Sequence, residues 1–504
     1  MKKNFNDDTI VAVSTPAGEG GIGIVRLSGK DSLKIADRIF MSADRKKPSK
    51  FKTHTIHYGY IIEKSQEHPL ILLPSLRSGL RGTPFGRRST GAHVFARSES
   101  KKAKLKKYIV DEVLLTVMKA PKTYTREDIV EINCHGGMTA LRKVFELVVK
   151  NGGRMAEPGE FTRRAFLNGR LDLTQAEAVL DVIRAKTDAG LGISINQLGG
   201  ELSREINSVR DSIVDVSADV EAAIDFSEED IKPDTAKTWL KNIKTAIGRL
   251  EKLRGTYHNG AILKDGITAV ICGRANVGKS SLMNLLLKRD RVIVTPIPGT
   301  TRDAIEEMVN IKGIPIKLVD TAGIRRHRSI IEKAGIDKSR FYLSNADLIL
   351  CVLDGSERLK RDDIKLLKNV GGRCTVIVIN KCDLKLVLDI KESKRISKNS
   401  DVVRISCLNR IGIDRLEEKV YNEIWSGKVY STHQLMLNNV RHKNAIDRAI
   451  DSLRKAEDGI RKGLSPEFLS VDIRESINAL GEIVGQVYTD DILNIIFSKF
   501  CIGK

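Results

Sequence analysis

The stretch Ile267-Thr-Ala-Val-Ile-Cys272, Gly273-Arg-Ala-Asn-Val-Gly278-Lys279-Ser280-Ser281, Leu282-Met-Asn-Leu-Leu-Leu287 decides how the rest of the chain is read. Its first six residues form an apolar, β-branched run that predicts a buried strand, and its last six predict a helix. Between them lies Gly-x4-Gly-Lys-Ser, the phosphate-binding loop. Glycines let the backbone wrap closely, so that its N–H groups and the following helix N-terminus face an anion. Asn276, Val277, Gly278, Lys279, Ser280 and Ser281 are therefore candidate nucleotide contacts. Lys279 supplies charge at the β- and γ-phosphates, and Ser280 offers a hydroxyl to Mg²⁺. Such a pattern also arises by chance; a strand before it and a helix after it argue against chance here.

Residues 266–427 alternate strand and helix, with strands expected at 315–319, 347–353 and 374–379. That rhythm implies a doubly wound α/β domain with ligand loops at the strand C-termini. Four signals fall on those loops. Gly299-Thr-Thr-Arg-Asp303 lies where a switch threonine meets Mg²⁺, and Asp320-Thr-Ala-Gly323 ends a strand, where an Asp holds Mg²⁺ through water and a Gly amide senses the γ-phosphate. Asn380-Lys-Cys-Asp383 ends another strand, and a carboxylate there accepts two N–H donors from guanine that adenine cannot match. Ser406-Cys407-Leu408 occupies the place of the last base-contacting loop. Each alone is an ordinary strand-end turn; in this order, with the phosphate loop, they predict a GTPase. No Gln follows Asp320-Thr-Ala-Gly323 to position water, because Ile324 stands there. Another group must orient water, and charge at the transition state needs a cation. Asn276 either helps hold a monovalent cation or braces the loop.

At 504 residues the chain is too long for one core. Its 41% hydrophobic and 30% charged content fit a globular protein. No apolar run approaches the ~20 residues of a membrane span. Met1-Lys-Lys-Asn-Phe-Asn-Asp-Asp8 lacks an apolar signal core, which favours the cytoplasm. Seven scattered cysteines, without a CxxC pair, suggest neither zinc nor a disulfide framework. The net charge of +21 points to a polyanionic partner, RNA first and an acidic membrane surface second. Residues 70–107, however, carry ten Lys or Arg against one Glu, so +9 of that charge sits in a flexible basic insertion, a solvated loop or an RNA contact.

Before the insertion, residues 8–29 predict two short strands around a Gly-rich turn, with Arg26 at a strand end, either solvated or facing an acidic ligand. After it, strands are expected at 108–118 and 125–135 and a helix at 138–150; His135 has no partner cluster in sequence and reads as structural. Helical periodicity runs from 157 to about 260, with breaks at Gly190–Gly192, Gly199–Gly200 and Pro233. Its apolar stripe includes Ile213, Val216, Val220, Ala223 and Ile224. Helix resumes from about 431, so an α/β domain is inserted into a helical one.

Asp8-Thr-Ile, Gly20-Gly-Ile-Gly-Ile-Val-Arg26, Gly159-Glu-Phe-Thr-Arg-Arg-Ala-Phe-Leu-Asn-Gly-Arg-Leu-Asp-Leu-Thr-Gln-Ala-Glu-Ala178, Gly299-Thr-Thr-Arg-Asp303 and the terminal Phe500-Cys-Ile-Gly-Lys504 carry a further inference. With these motifs the chain resembles the tRNA-modification GTPases of the MnmE/TrmE family over nearly its whole length. The resemblance implies a multidomain α/β and α protein. A folate-binding, dimerising α+β domain would span 1–168. A discontinuous helical domain would span 169–265 and 428–504, with a Ras-like P-loop GTPase domain, 266–427, inserted in it. It implies a homodimer that joins a flavoprotein (MnmG/GidA), carrying FAD and NADH, in a heterotetramer. That complex adds an aminomethyl or carboxymethylaminomethyl group to C5 of the tRNA wobble uridine, using 5-formyl- or methylene-tetrahydrofolate.

By motif, the resemblance assigns Arg26, Glu131, Arg170 and Lys504 to folate, with Arg170 where a Lys also occurs. It assigns Ser280 and Thr301 to Mg²⁺, and Asn276, Thr295, Ile297 and Thr300 to an activating K⁺. Pro296, Pro298 and Gly299 complete the K⁺ loop along the nucleotide, as Thr321, Ala322 and Gly323 complete the second switch. Glu332 would orient the attacking water through another water, although its local sequence also suits a solvated charge. Cys501 matches a cysteine implicated in modification, or is a small buried hydrophobe. Three features depart from the family pattern: the insertion, Ala275 in place of a phosphate-loop proline, and Pro296, which would stiffen the K⁺ loop. A ribosome-assembly GTPase of the Era or Der type would need a KH module with its GxxG loop or a second G domain, and neither is found. A scaffold with a vestigial GTPase would not need Lys279, Asp320 and Asp383 intact.

Overall fold

The computed structural model describes residues 8–16, 18–65, 106–225, 233–291, 307–320, 342–398, 400–425 and 435–504. They form two compact units, Met1–Leu171 with Thr489–Lys504, and Asp172–Tyr488.

The first unit is built on a seven-stranded sheet of order β3-β4-β5-β6-β2-β1-β7. Its strands are β1 (Ile10–Val13), β2 (Ile22–Ser28), β3 (Phe40–Ser42), β4 (Thr55–Ser65), β5 (Lys106–Met118), β6 (Ile129–His135) and β7 (Arg154–Met155). The expected pair of short N-terminal strands is β1 and β2, antiparallel from Ile10 opposite Ser28 to Val13 opposite Val25. In β2 alternate residues turn to opposite faces: Val25 and Leu27 enter the core with Ile35, Leu115, Val130, Ile132 and Val148. Arg26 is thereby placed on the other face, directly opposite Glu131 of β6. The basic stretch joins β4 to β5, which are paired down to Ser65 opposite Lys106, so its last two residues, Lys106 and Lys107, belong to a strand.

Residues 489–504, which the sequence groups with the second helical segment, belong to this first unit. Thr489 caps the helix Asp490–Phe497 by accepting from Ile492 N–H. Gly159 has φ of +69°, and a Cβ there would stand 2.8 Å from the Phe497 carbonyl, so only glycine permits this closeness.

In the second unit the helices Glu201–Asp225, Pro233–Arg254, Val440–Arg461 and Pro466–Val484 share one core. Leu202, Ile206, Val209, Ile213, Val216 and Val220 recur at alternating steps of four and three and are all buried, with Ala223 and Ile224 partly buried beside them. One expected break is misplaced. Gly190 and Gly192 lie inside the helix Asp188–Leu198, and the chain turns instead at Ala185–Thr187. Gly190 serves packing: a Cβ there would meet the Leu263 carbonyl at 2.8 Å. The breaks at Gly199–Gly200 and at Pro233, the first residue of its helix, fall where expected.

The same unit carries a six-stranded sheet of order β13-β12-β11-β8-β10-β9. Its strands are β8 (Ile267–Cys272), β9 (Met308–Ile311), β10 (Ile314–Asp320), β11 (Leu348–Asp354), β12 (Thr375–Asn380) and β13 (Asp401–Arg404). All pairings are parallel except β9 with β10. Both faces are covered: Leu350 and Val352 point into one core, Ile349, Cys351 and Leu353 into another. After β8 the chain builds β9 and β10 on one side of it and β11 to β13 on the other, so β8 is the topological switch point where ligand loops gather. Among the described residues no helix is long and apolar enough to cross a membrane.

Candidate functional site

The loop from Gly273 to Gly278 leaves the end of β8 and enters the helix Lys279–Asp290. Its path needs three left-handed residues, Gly273 (φ +151°), Asn276 (φ +63°) and Gly278 (φ +100°). Asn tolerates that region better than most residues. At Gly278 a Cβ would stand 2.1 Å from Asn380 Nδ2, and at Gly273 2.4 Å from the Val352 carbonyl, so side chains are excluded at both ends of the loop. Lys279 is buried and its Nζ donates to the Arg274 carbonyl at 2.5 Å, which draws the ammonium across the mouth of the loop. Ser280 Oγ donates to Asp320 Oδ2 at 3.2 Å. A hydroxyl and a carboxylate, brought together from a helix N-terminus and a strand end, are the hard oxygen donors Mg²⁺ takes.

Asn380, 3% exposed, ties three loops together. Its Nδ2 donates to the Val277 carbonyl at 2.9 Å and its Oδ1 accepts from Cys407 N–H at 3.1 Å. Cys382 N–H donates to the Ile405 carbonyl at 3.0 Å, joining the 380–383 loop to the end of β13. Ser406 is fully buried, its Oγ accepting from Asn409 N–H, whereas Leu408 is 83% exposed. Asp383 is exposed beside Cys407. Burial pushes the Cys407 thiol up to about 11, and the Asp383 carboxylate adds to the rise. The exposed Asp383, the buried Asn380 and the phosphate loop are thus one constellation.

The sequence reading named Lys381 but missed the carboxylate that holds it, Asp354. Lys381, at φ +66°, donates from Nζ to Asp354 Oδ2 at 2.5 Å. Asp354 is buried, and its Oδ1 accepts from the N–H and Oγ of Ser356. Burial alone would raise its carboxyl; Lys381 and Ser356 hold it below the ordinary value. The available signal was position: Asp354, like Asp320 and Asn380, is the polar last residue of an apolar strand. Of the residues singled out from sequence, Thr295, Pro296, Ile297, Pro298, Gly299, Thr300, Thr301, Thr321, Ala322, Gly323 and Glu332 lie outside the described residues, as do 70–105 of the basic insertion.

A second polar cluster occupies the first unit. Arg26 Nε donates to Glu131 Oε1 at 2.7 Å and its Nη1 to the Gly503 carbonyl at 3.2 Å. Gly503, at φ +98°, turns the chain end against β1, where a Cβ would be 2.7 Å from the Val13 carbonyl. Lys504 is half-buried; burial, then the neighbouring Arg26, press its ammonium below the ordinary value. The Arg170 guanidinium lies 4.7 Å over the Tyr124 ring, and Arg26 lies 5.8 Å from the Phe161 ring centre. The Tyr124 hydroxyl pairs with Thr162 at 2.9 Å. Burial pushes that phenol up, although Thr162, Arg170 and Arg26 pull the other way, so both arginines act on one ring. Sequence reading singled out Arg26, Glu131, Arg170 and Lys504 but gave no role to Tyr124, or to Phe161 and Thr162 within the Gly159–Ala178 motif. Cys501 is partly exposed, and its carbonyl accepts from Gly159 N–H at 3.4 Å. His135 is an exposed partner of Asp111, at 2.7 Å.

A doubly wound sheet with a phosphate loop at its switch point, a Ser–Asp oxygen pair beside it and an Asn-Lys-x-Asp loop defines a Ras-like P-loop GTPase. The family described as MnmE helical domain matches residues 173–501, and the GTP-binding protein TrmE N-terminus matches 9–74 and 82–170. The tRNA modification GTPase MnmE of Alkaliphilus oremlandii is 42% identical over 501 residues, 99% of this chain and 100% of that one. That of Carboxydothermus hydrogenoformans is 44% identical over 501 residues, with the same coverage. The chain belongs to the MnmE family of tRNA modification GTPases. Among solved structures, the G domain of the T. maritima FeoB iron transporter is 25% identical, covering 31% of this chain and 98% of that chain with a TM-score of 0.24.

Proposed function

We propose that this GTPase spends GTP hydrolysis on tRNA modification, as a homodimer working with a flavoprotein partner in the cytoplasm. In this reading a tetrahydrofolate one-carbon unit is added to C5 of the wobble uridine as an aminomethyl or carboxymethylaminomethyl group. Residues 1–168, with 489–504 in the same unit, form the folate and dimerisation domain, 169–265 and 428–488 the helical domain, and 266–427 the G domain. The observation that carries the reading beyond a bare GTPase is the cluster of Arg26, Arg170, Lys504 and Glu131 around the Tyr124 and Phe161 rings. Three cations suit a ligand bearing carboxylates, and aromatic rings with a carboxylate in the same cluster suit a flat, N–H-rich heterocycle. These residues fit 5-formyl- or methylene-tetrahydrofolate, which when bound supplies the one-carbon unit. Arg26 is held by Glu131 and the Gly503 carbonyl, so it meets such a ligand already oriented.

For the hydrolysis, Ser280 and Asp320 fit Mg²⁺, with Thr301 completing the set. Asn276 has the exposed, left-handed position from which a side-chain oxygen can meet a monovalent cation, and Thr295, Ile297 and Thr300 supply the remaining oxygens for K⁺. K⁺ supplies the positive charge that an arginine supplies elsewhere. Glu332 orients water in place of the absent Gln. Two measurements test the reading. GTP turnover is expected to be much faster in K⁺ than in Na⁺, and equal rates would remove the cation assignment. Mass spectrometry of wobble nucleosides from cells lacking the protein is expected to show loss of the C5 group; unchanged modified uridine would remove the tRNA role and leave the GTPase.

A further inference from the structure

We propose that Arg274 is a positioning residue of the GTPase: its ion pairs with Asp363 and Glu357 clamp the first half of the phosphate loop in its nucleotide-binding conformation. The loop is bounded by glycines at φ +151° and +100°, the two positions where its backbone has most freedom. That freedom must be taken up by tethers if the loop is to meet a nucleotide without reordering. The second half has two: Val277 is buried, and its carbonyl accepts from Asn380. Among the described residues the first half is held by Arg274. Its Nε donates to both Asp363 oxygens at 2.9 Å and its Nη2 to Glu357 Oε2 at 2.8 Å.

The anchor is rigid. Asp363 is 3% exposed, and its Oδ2 also accepts from Lys360 N–H at 3.0 Å, which fixes the carboxylate at the start of the helix Arg361–Val370. Glu357 is paired in addition with Lys360 at 2.8 Å. The main chain of Arg274 completes the device, because its carbonyl is the acceptor of Lys279 Nζ. One residue thus joins a buried carboxylate to the lysine that serves the phosphates. A solvated pair would carry little weight, but a buried carboxylate that loses its partner does. The fork of the guanidinium reaches two carboxylates at once, which an ammonium cannot do with the same geometry.

Preorganisation of this kind favours ground-state and transition-state complexes alike, so its loss appears in affinity rather than in turnover. The test uses the full-length protein, with GTP turnover, equilibrium binding of a fluorescent GDP and thermal melting. In Arg274→Ala the KM for GTP and the Kd for GDP are expected to rise together by about tenfold, with kcat within about twofold. Arg274→Lys is expected to recover part of the affinity, and Glu357→Gln, on the exposed partner, to lose a smaller part. Arg274→Ala combined with Asp363→Asn is expected to bind no more weakly than Arg274→Ala alone. Unchanged nucleotide affinity in Arg274→Ala, with or without a lower melting point, would overturn the proposal. So would a fall in kcat at constant KM, or an additive double variant. Should Asp363→Asn fail to fold, the Ala, Lys and Gln variants decide.

Discussion

Gly278 shows how little room single residues have in this site. It is the only residue type that can hold φ of +100° while Asn380 Nδ2 lies 2.1 Å from the place of a Cβ. Gly278→Ala is expected to push Asn380 off the Val277 carbonyl and to weaken GTP binding on the order of a hundredfold, with folding kept; equilibrium dialysis with labelled GTP and a circular dichroism spectrum check it. Asp354→Asn is a milder case. It leaves Lys381 in a left-handed conformation without its charged partner, and GTP affinity is expected to fall severalfold while the melting temperature moves little. A result the same as wild type would show that Lys381 is set by its backbone alone. Asp383 was legible because a guanine-reading carboxylate has a motif. Asp354 was not, because what it does depends on a contact with a residue 27 positions away.

Elements carry the strongest sequence signal. The 4-3-4-3 stripe on the helix Glu201–Asp225 could be read directly, since a helix with one apolar face must bury it. Ile213→Ala is expected to cost about 2–5 kcal/mol in chemical denaturation, because the fully packed site cannot collapse around the lost atoms. Thr489→Ala, which removes the cap of the helix Asp490–Phe497, is expected to cost about 1 kcal/mol and to loosen the Phe500–Lys504 turn. Increased proteolysis near the C-terminus in that variant would show it; protection equal to wild type would contradict it. The glycines at 190 and 192 are the counterexample. Glycine signals a helix break by propensity, yet at Gly190 the Leu263 carbonyl, 2.8 Å from the Cβ place, demands it within a helix, while Gly192 faces open space and the helix runs through it. Periodicity reports one element's own face, and not the neighbour that requires a missing side chain.

At the scale of the molecule, the second unit is closed by a buried polar group whose members are far apart in sequence. His442 Nε2 pairs with Glu177 Oε2 at 2.6 Å across 265 positions, and Arg441 donates to both Glu177 oxygens. Burial alone would raise the Glu177 carboxyl, but His442 and Arg441 hold it well below the usual carboxylate range. Burial presses the His442 imidazole below its ordinary 6.5 in spite of Glu177. Both shifts have the same sign for stability. The unfolded chain binds protons more readily at each group, so stability rises with pH through each window. It is expected to be lost first as pH falls below about 6.5, when unfolded His442 takes up a proton, and further below the ordinary carboxylate value of 4.5. Melting curves at pH 7.5, 6.5 and 5.5 check this. His442→Gln should flatten the upper part of the dependence, and an equally steep profile in that variant would assign it to other groups.

The amino-acid sequence by itself determined the class of the strongly patterned elements, the phosphate loop, the guanine motif and the family, because these depend on local periodicity or on chemistry concentrated within a few residues. Tertiary structure alone decided which side chains hold those motifs in place. Arg274 on Asp363, Lys381 on Asp354, Arg170 on Tyr124, and His442 on Glu177 are contacts over distances that no local pattern encodes. Each needs a partner that only the packing of strands and helices brings within reach, where exclusion of water makes a charge or a ring decisive.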